Sequence, residues 1–270
     1  MPPLIRLVAL DAYGTLFRVR QSPGITYAAA ARELLQREGT SDAQPASATG
    51  RPQPELLAAL ADRDRASRAF AVAYRRQAAA HPNFGHGSMA PREWWAEVVR
   101  ATLLQAGCSD RDVDAVFAPL FESVYDRFAT ADMFDVYADT RRTLDALARR
   151  ATLAVITNSD ARTDAVLAAL DLRRHLHHVV CSNDIGVLKP HAAIFTDSLR
   201  RAGMHESDAA QALYVGDDVH NDYQGAINAG WNARLLIRRD PADTAPLVVP
   251  DGVDPRHVIT SLDELVPLLE

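Results

Sequence analysis

From Asp139 to Ile237 short apolar runs alternate with segments of helical period, and that alternation leaves a chain few folds to choose from. Helices are expected over Asp139–Arg150, Arg162–Leu172, Ala192–Ala202 and Asp222–Ala229. Strands are expected over Ala151–Thr157, His178–Ser182, Ala212–Gly216 and, as the last, Ala233–Ile237. Apolar runs of this length, without polar alternation, read as strands buried on both faces. Neighbouring parallel strands need a crossover, and a helix between each pair supplies it. The pattern therefore predicts βαβ units, a parallel sheet and helices on both faces, an α/β core of Rossmann-like type.

One further run, Leu7 to Leu10, stands far upstream and ends abruptly on an acid, in the stretch V-A-L-D-A-Y-G-T-L-F. Gly14 and Thr15 supply turn chemistry after Asp11. This run belongs to the same sheet, although a long helical region separates it from the other strands. That region has apolar residues at helical spacing over Ile25–Glu38 (with Gly39 as stop), Glu55–Gln77, Pro91 to Gly107 and Asp112–Arg127, and no strand pattern. The expected organisation is a core of residues 1–18 and 131–270 with an all-helical insert over 19–130. Within the insert, residues 40–54 are small, polar and proline-rich, which predicts a mobile loop.

Composition narrows the function classes. The net charge of −6 comes from acids and bases interleaved along the chain, which argues against a nucleic-acid footprint. Cys108 and Cys181 lie far apart without metal-type spacing and are expected as small buried hydrophobes. The N-terminal apolar run is too short for a signal peptide, and no stretch is long enough to span a membrane. These features predict a soluble, cytoplasmic protein of a reducing compartment that acts on a small molecule, without nucleic-acid or membrane partners.

In an open α/β sheet, ligands sit at the carboxyl ends of the strands. Four such ends here carry polar groups: Asp11; Thr157, Asn158 and Ser159; Lys189 before Pro190; and Asp217 and Asp218, with Asp222 a turn later. Each alone is an ordinary cap or turn. Together they gather carboxylates that would repel one another without a cation, and hard oxygen ligands suit Mg²⁺. A carboxylate beside a divalent ion, with a lysine and a hydroxyl at hand, suits attack on a phosphoryl group.

These residues, in this order, resemble the motifs of the haloacid dehalogenase (HAD) superfamily. D-A-Y-G-T resembles its first motif, Thr157 the second, Lys189-Pro190 the third and G-D-D-V-H-N-D the fourth, over nearly the whole chain. The helical insert resembles that superfamily's cap. Its stretch H-P-N-F-G-H-G-S-M-A-P-R-E-W-W is similar to the cap signature of the eukaryotic group named haloacid dehalogenase-like hydrolase domain-containing protein 3. A receiver domain also gathers acids, a threonine and a lysine at strand ends, but it is about half this length and lacks the insert.

The resemblance implies that Asp11 is the nucleophile of an aspartyl intermediate. Thr157 and Asn158 would hold the transferring group, and Lys189 would neutralise charge. Mg²⁺ would be held by Asp11, by Asp217 directly, by Asp222 through water and by the main-chain carbonyl of Tyr13. Asp218 and His220 are expected to be solvated. Phosphatases of the superfamily carry a general-acid aspartate where this chain has Tyr13, and a tyrosine with a pKa near 10 donates a proton but is a poor base. The form D-A-Y-G-T-L-F is that of 2-haloacid dehalogenases, which use no metal and lack the fourth-motif metal ligand. The two motifs conflict, and the fourth weighs more. The expectation is a Mg²⁺-dependent phosphatase of a small phosphorylated metabolite. The alternatives are a metal-free 2-haloacid dehalogenase and a weakly catalytic or non-catalytic metal-binding interaction protein. Phe84, His86, Trp94 and Trp95 read as cap core or pocket lining; His86, in a glycine-flanked loop, and Tyr13 are the candidates for substrate contact.

Overall fold

Leu7, Val8, Ala9 and Leu10 are all fully inaccessible to solvent, so the run that opens the chain lies at the centre of the fold. The computed structural model describes residues 4–38, 54–238 and 246–269; the predicted helix stop Gly39 and the predicted loop, save Pro54, lie outside the described residues. Its strands are β1 (Leu7–Leu10), β2 (Phe17–Val19), β3 (Phe134–Val136), β4 (Thr152–Thr157), β5 (His178–Cys181), β6 (Ala212–Gly216), β7 (Asn232–Leu236) and β8 (Val258–Ile259). Six of them form one sheet in the order β5-β4-β1-β6-β7-β8, every neighbour parallel.

The expected parallel sheet is therefore present, and its order is the doubly wound one. The connections run one way from β1 through β4 to β5 and the other way from β6 to β8. The reversal falls beside β1, where such sheets open a crevice. Register places the strand ends level. Leu10 is opposite Val155 on one side and Val215 on the other, so Asp11, Thr157 and Asp217 emerge from three adjacent strands at one edge.

The chain divides into two compact units, one running up to Arg18 and resuming at Phe134, the other Val19–Met133. In the second unit the described elements are helices α1 (Pro23–Glu38), α2 (Pro54–Ala61), α3 (Arg63–Ala80), a single turn α4 (Pro82–Gly85), α5 (Pro91–Ala106) and α6 (Asp110–Arg127). They close around Tyr27, Leu60, Leu103, Leu120 and their neighbours. The single helix expected over Glu55–Gln77 is two. Asp62 caps α3 by accepting from Arg65 N at 2.9 Å, and an aspartate in that role starts a new helix instead of continuing the old one. Ser109 likewise starts α6 two residues earlier than expected.

In the first unit, α7 (Thr140–Leu147), α8 (Arg162–Ala169), the turn α9 (Ser182–Ile185), α10 (Ala192–Arg201) and α11 (Gly225–Asn228) fall between strands. The helix expected from Asp222 begins instead as a wide π-type turn, Val219–Gln224. Two features were not expected. The pair β2–β3 has three residues in each strand, and its Phe17 and Phe134 rings meet edge to face at 5.4 Å. The sheet also continues past β7 into β8, whose two residues are too few to show any period. Both cysteines are buried and free. No helix among the described residues is long and apolar enough to cross a membrane.

Candidate active site

Asp11 leaves the sheet with its N–H still bonded to Val215 O at 2.8 Å, so its carboxylate is carried by the strand and not by a loop. It is 7 % exposed. Lys189 reaches it from the loop before α10, donating from Nζ to Asp11 Oδ1 at 2.6 Å and to Asp222 Oδ1 at 2.7 Å. The loop is fixed by Asn158, whose Oδ1 accepts from Lys189 N at 2.8 Å and whose Nδ2 donates to Lys189 O at 3.1 Å. Asn158 thus spends its side chain on the lysine's backbone. Thr157 is buried at the end of β4, and among the described residues its hydroxyl meets no hydrogen-bond partner.

Two glycines let the acids close in. A Cβ on Gly14, whose φ is +84°, would lie 2.3 Å from Asp217 Oδ2, and one on Gly216 would lie 2.2 Å from Asp222 Oδ2. Asp11, Asp217 and Asp222 each offer an oxygen, and these oxygens lie within 4.8 Å of one another. Asp222 also accepts from Asp218 N at 3.0 Å. Asp218 turns away to cap the next turn, accepting from His220 N and Asn221 N, and His220 is exposed. Residues Asp11, Tyr13, Thr157, Asn158, Lys189 and the Asp217–Asp222 turn surround a cavity of about 150 Å³. At about 30 Å³ per water, that holds an ion and a few waters.

The charges explain each other. Burial pushes Asp11 up to about 7, with Lys189 opposing and Asp222 and Asp217 adding to the rise. Asp217 is raised too, by burial and then by Asp222. Burial works against the Lys189 ammonium, but Asp11 and Asp222 outweigh it and hold its pKa above the usual value. Three carboxylates against one ammonium leave an excess that one divalent cation would balance, and all the donors are hard oxygens, as Mg²⁺ prefers. The Tyr13 carbonyl, next to Gly14, accepts no hydrogen bond among the described residues. These residues fit a Mg²⁺ ion.

Tyr13 uses its side chain elsewhere. Its ring packs edge to face on Phe17 at 4.9 Å and on Phe134 at 5.9 Å. Burial pushes its phenol up to about 12, with Thr163 and Arg162 opposing the rise; Thr163 itself donates to Ser159 Oγ at 2.7 Å.

A family model for haloacid dehalogenase-like hydrolases matches residues 5–230. The chain belongs to that family. It is a hydrolase of the HAD superfamily, and the relatives bear this out over its length. Haloacid dehalogenase-like hydrolase domain-containing protein 3 of Bos taurus is 32% identical over 269 residues, covering 98% of this chain and 94% of the relative. The pyrimidine 5'-nucleotidase YjjG of Escherichia coli is 33% identical over 127 residues, 47% of this chain and 53% of that protein. The crystal structure of a 2-haloacid dehalogenase from Pseudomonas syringae superposes with a TM-score of 0.60 at 25% identity, covering 98% of each chain.

Of the cap residues singled out above, Phe84 and Trp94 are buried and pack with Trp95, at centroid distances of 5.2 Å (Phe84–Trp94) and 5.0 Å (Trp94–Trp95). His86 is exposed and lies in the second unit, whereas the residues around the cavity all belong to the first. One residue at the site escaped the sequence reading. Tyr214, inside β6 and fully buried, places its hydroxyl 2.8 Å from Lys189 Nζ. In an apolar strand its only signal was that a buried tyrosine needs a partner for its hydroxyl.

Proposed function

We propose that this hydrolase is a Mg²⁺-dependent phosphatase that acts through an aspartyl-phosphate intermediate on a small phosphorylated molecule. The observation that carries the reading is the cluster of Asp11, Asp217 and Asp222 oxygens within 4.8 Å, which serves little purpose in a metal-free site. That one relative is named a nucleotidase also favours phosphoester chemistry.

An oxygen of Asp11 attacks phosphorus and the bond from phosphorus to the leaving oxygen breaks. Mg²⁺, when bound, offsets the charge on the phosphoryl oxygens and on Asp11. Lys189 offsets the same charge, and the Thr157 hydroxyl donates to a phosphoryl oxygen. Water then attacks the acyl phosphate, releasing inorganic phosphate and restoring the Asp11 carboxylate. Tyr13, its phenol pushed up to about 12 by burial, is a poor acid at neutral pH, so the leaving oxygen takes its proton from water.

That last feature sets the test. Leaving groups that need little protonation, as in aryl phosphates, are expected to be turned over well. Alkyl phosphates should be slower by about 10² to 10⁴, the usual value of general acid catalysis. Tyr13→Asp should raise alkyl phosphate turnover, and Asp11→Asn should be silent on every phosphate while remaining folded by circular dichroism. The second reading, a 2-haloacid dehalogenase, is favoured by Tyr13 itself and by the likeness to the P. syringae enzyme. Halide release from 2-haloacids without Mg²⁺, and no phosphate release with it, would establish that reading instead.

A further inference from the structure

We infer that Tyr214 is a positioning residue, which aims the Lys189 ammonium at Asp11. The inference rests on the reading that Asp11 and Lys189 carry the chemistry.

Four oxygens lie within reach of Lys189 Nζ: Asp11 Oδ1 at 2.6 Å, Asp222 Oδ1 at 2.7 Å, the Tyr214 hydroxyl at 2.8 Å and Ile156 O at 3.1 Å. An ammonium has three protons. The three shortest contacts take them, and Ile156 O is left for another donor. The Tyr214 hydroxyl supplies it, at 2.8 Å, closer than its 3.2 Å approach to Asp222. Lys189 thus donates to Asp11, Asp222 and Tyr214, and Tyr214 donates to Ile156. Every proton has one acceptor.

The tyrosine is equipped to hold this arrangement. Its ring is locked edge to face against Phe195 at 5.2 Å and Trp231 at 6.5 Å, so the hydroxyl cannot wander. Without the hydroxyl, the third ammonium proton has only Ile156 O to turn to. The ammonium then rotates and slackens its bond to Asp11, while no buried group is orphaned.

Tyr214→Phe tests this, and the sequence provides an unusual probe. Lys189 is the only lysine among the 29 Lys and Arg residues of the chain, so protein labelled with ¹⁵N-lysine gives one ammonium resonance. In Tyr214→Phe that resonance should move, and its protons should exchange with water faster than in wild type. With an aryl phosphate and Mg²⁺, kcat should fall about tenfold, the scale of one hydrogen bond to a charged group, with KM within about twofold. An unchanged ammonium resonance overturns the inference. So does an unchanged kcat beside a lowered melting temperature, which would make Tyr214 a packing residue alone. If wild type hydrolyses no phosphate, the functional reading fails and the resonance still decides the place of Tyr214. Should Tyr214→Phe not fold, protein carrying 3-fluorotyrosine, whose hydroxyl is a weaker acceptor, should shift the same resonance, and no shift would count against the inference.

Discussion

At the scale of single residues, the site depends as much on what is missing as on what is present. Gly14 presses its backbone so near Asp217 that a methyl group would collide with the carboxylate, and its φ of +84° is one that other residues avoid. Gly14→Ala should therefore weaken Mg²⁺ binding by tenfold or more, roughly 1.4 kcal/mol, in calorimetric titration, and lower the melting temperature as well. Retained affinity would show that the loop after β1 takes no part in holding the ion. Residues of this kind differ in how far sequence reveals them. Asp11 and Lys189 are charged groups whose burial would be costly without a purpose, and Asp217 is a further acid at the end of an apolar run. Tyr214 is an aromatic among apolar neighbours, and nothing in its spacing separates a ring that fills a core from one that also carries a hydroxyl to a lysine. For Asn158 its neighbourhood was legible, but its bond to the Lys189 backbone depends on the fold.

At the scale of elements, the loop after β1 is held by a second charged pair. Arg238 donates to both oxygens of Asp139, at 3.0 and 3.1 Å, and to Thr15 O at 2.7 Å, and its guanidinium lies 3.7 Å over the Tyr137 ring. Asp139 also accepts from Ser261 Oγ and Leu262 N, so one carboxylate ties the start of α7, the end of β7 and the C-terminal segment together. Although burial opposes its ionisation, these donors hold its pKa below the usual value. Asp139→Ala would leave the half-buried Arg238 without its counter-charge, a change that costs up to about 3 kcal/mol. Urea unfolding should show a loss of that size, and a loss below about 1 kcal/mol would mean the pair is mostly solvated. The long elements were legible because hydrophobic period accumulates over ten or more residues. β2, β3 and β8 were not, because two or three residues cannot display a period of two. The break at Asp62 was missed for a related reason: the apolar spacing runs through it, and only the cap marks the interruption.

At the scale of the whole molecule, stability should respond to acid through His178. Burial pushes its pKa from 6.5 down to about 4, and it meets Ser198 Oγ through Nε2 at 2.8 Å and His177 Nδ1 through Nδ1 at 3.1 Å. The unfolded chain takes up the proton more readily than the folded one. This contribution is therefore complete above about pH 6.5 and is lost as the pH falls toward 4. Asp11, pushed up to about 7, works in the opposite sense over the same range, so the contribution of His178 is read as a difference: between pH 7.5 and 4 the stability advantage of wild type over His178→Gln should shrink. An identical slope in the variant would place the acid sensitivity elsewhere.

Lys189 has one more consequence, which concerns reagents and not substrates. The only side-chain amine of the chain is 4 % exposed and bonded on every side. Amine-directed labels and cross-linkers will find no side-chain amine for as long as the strand ends stay closed. A label can attach to Lys189 only when its surroundings open. The rate of that modification, read by mass on the peptide that carries Lys189, is thus a clock for the opening of this one site.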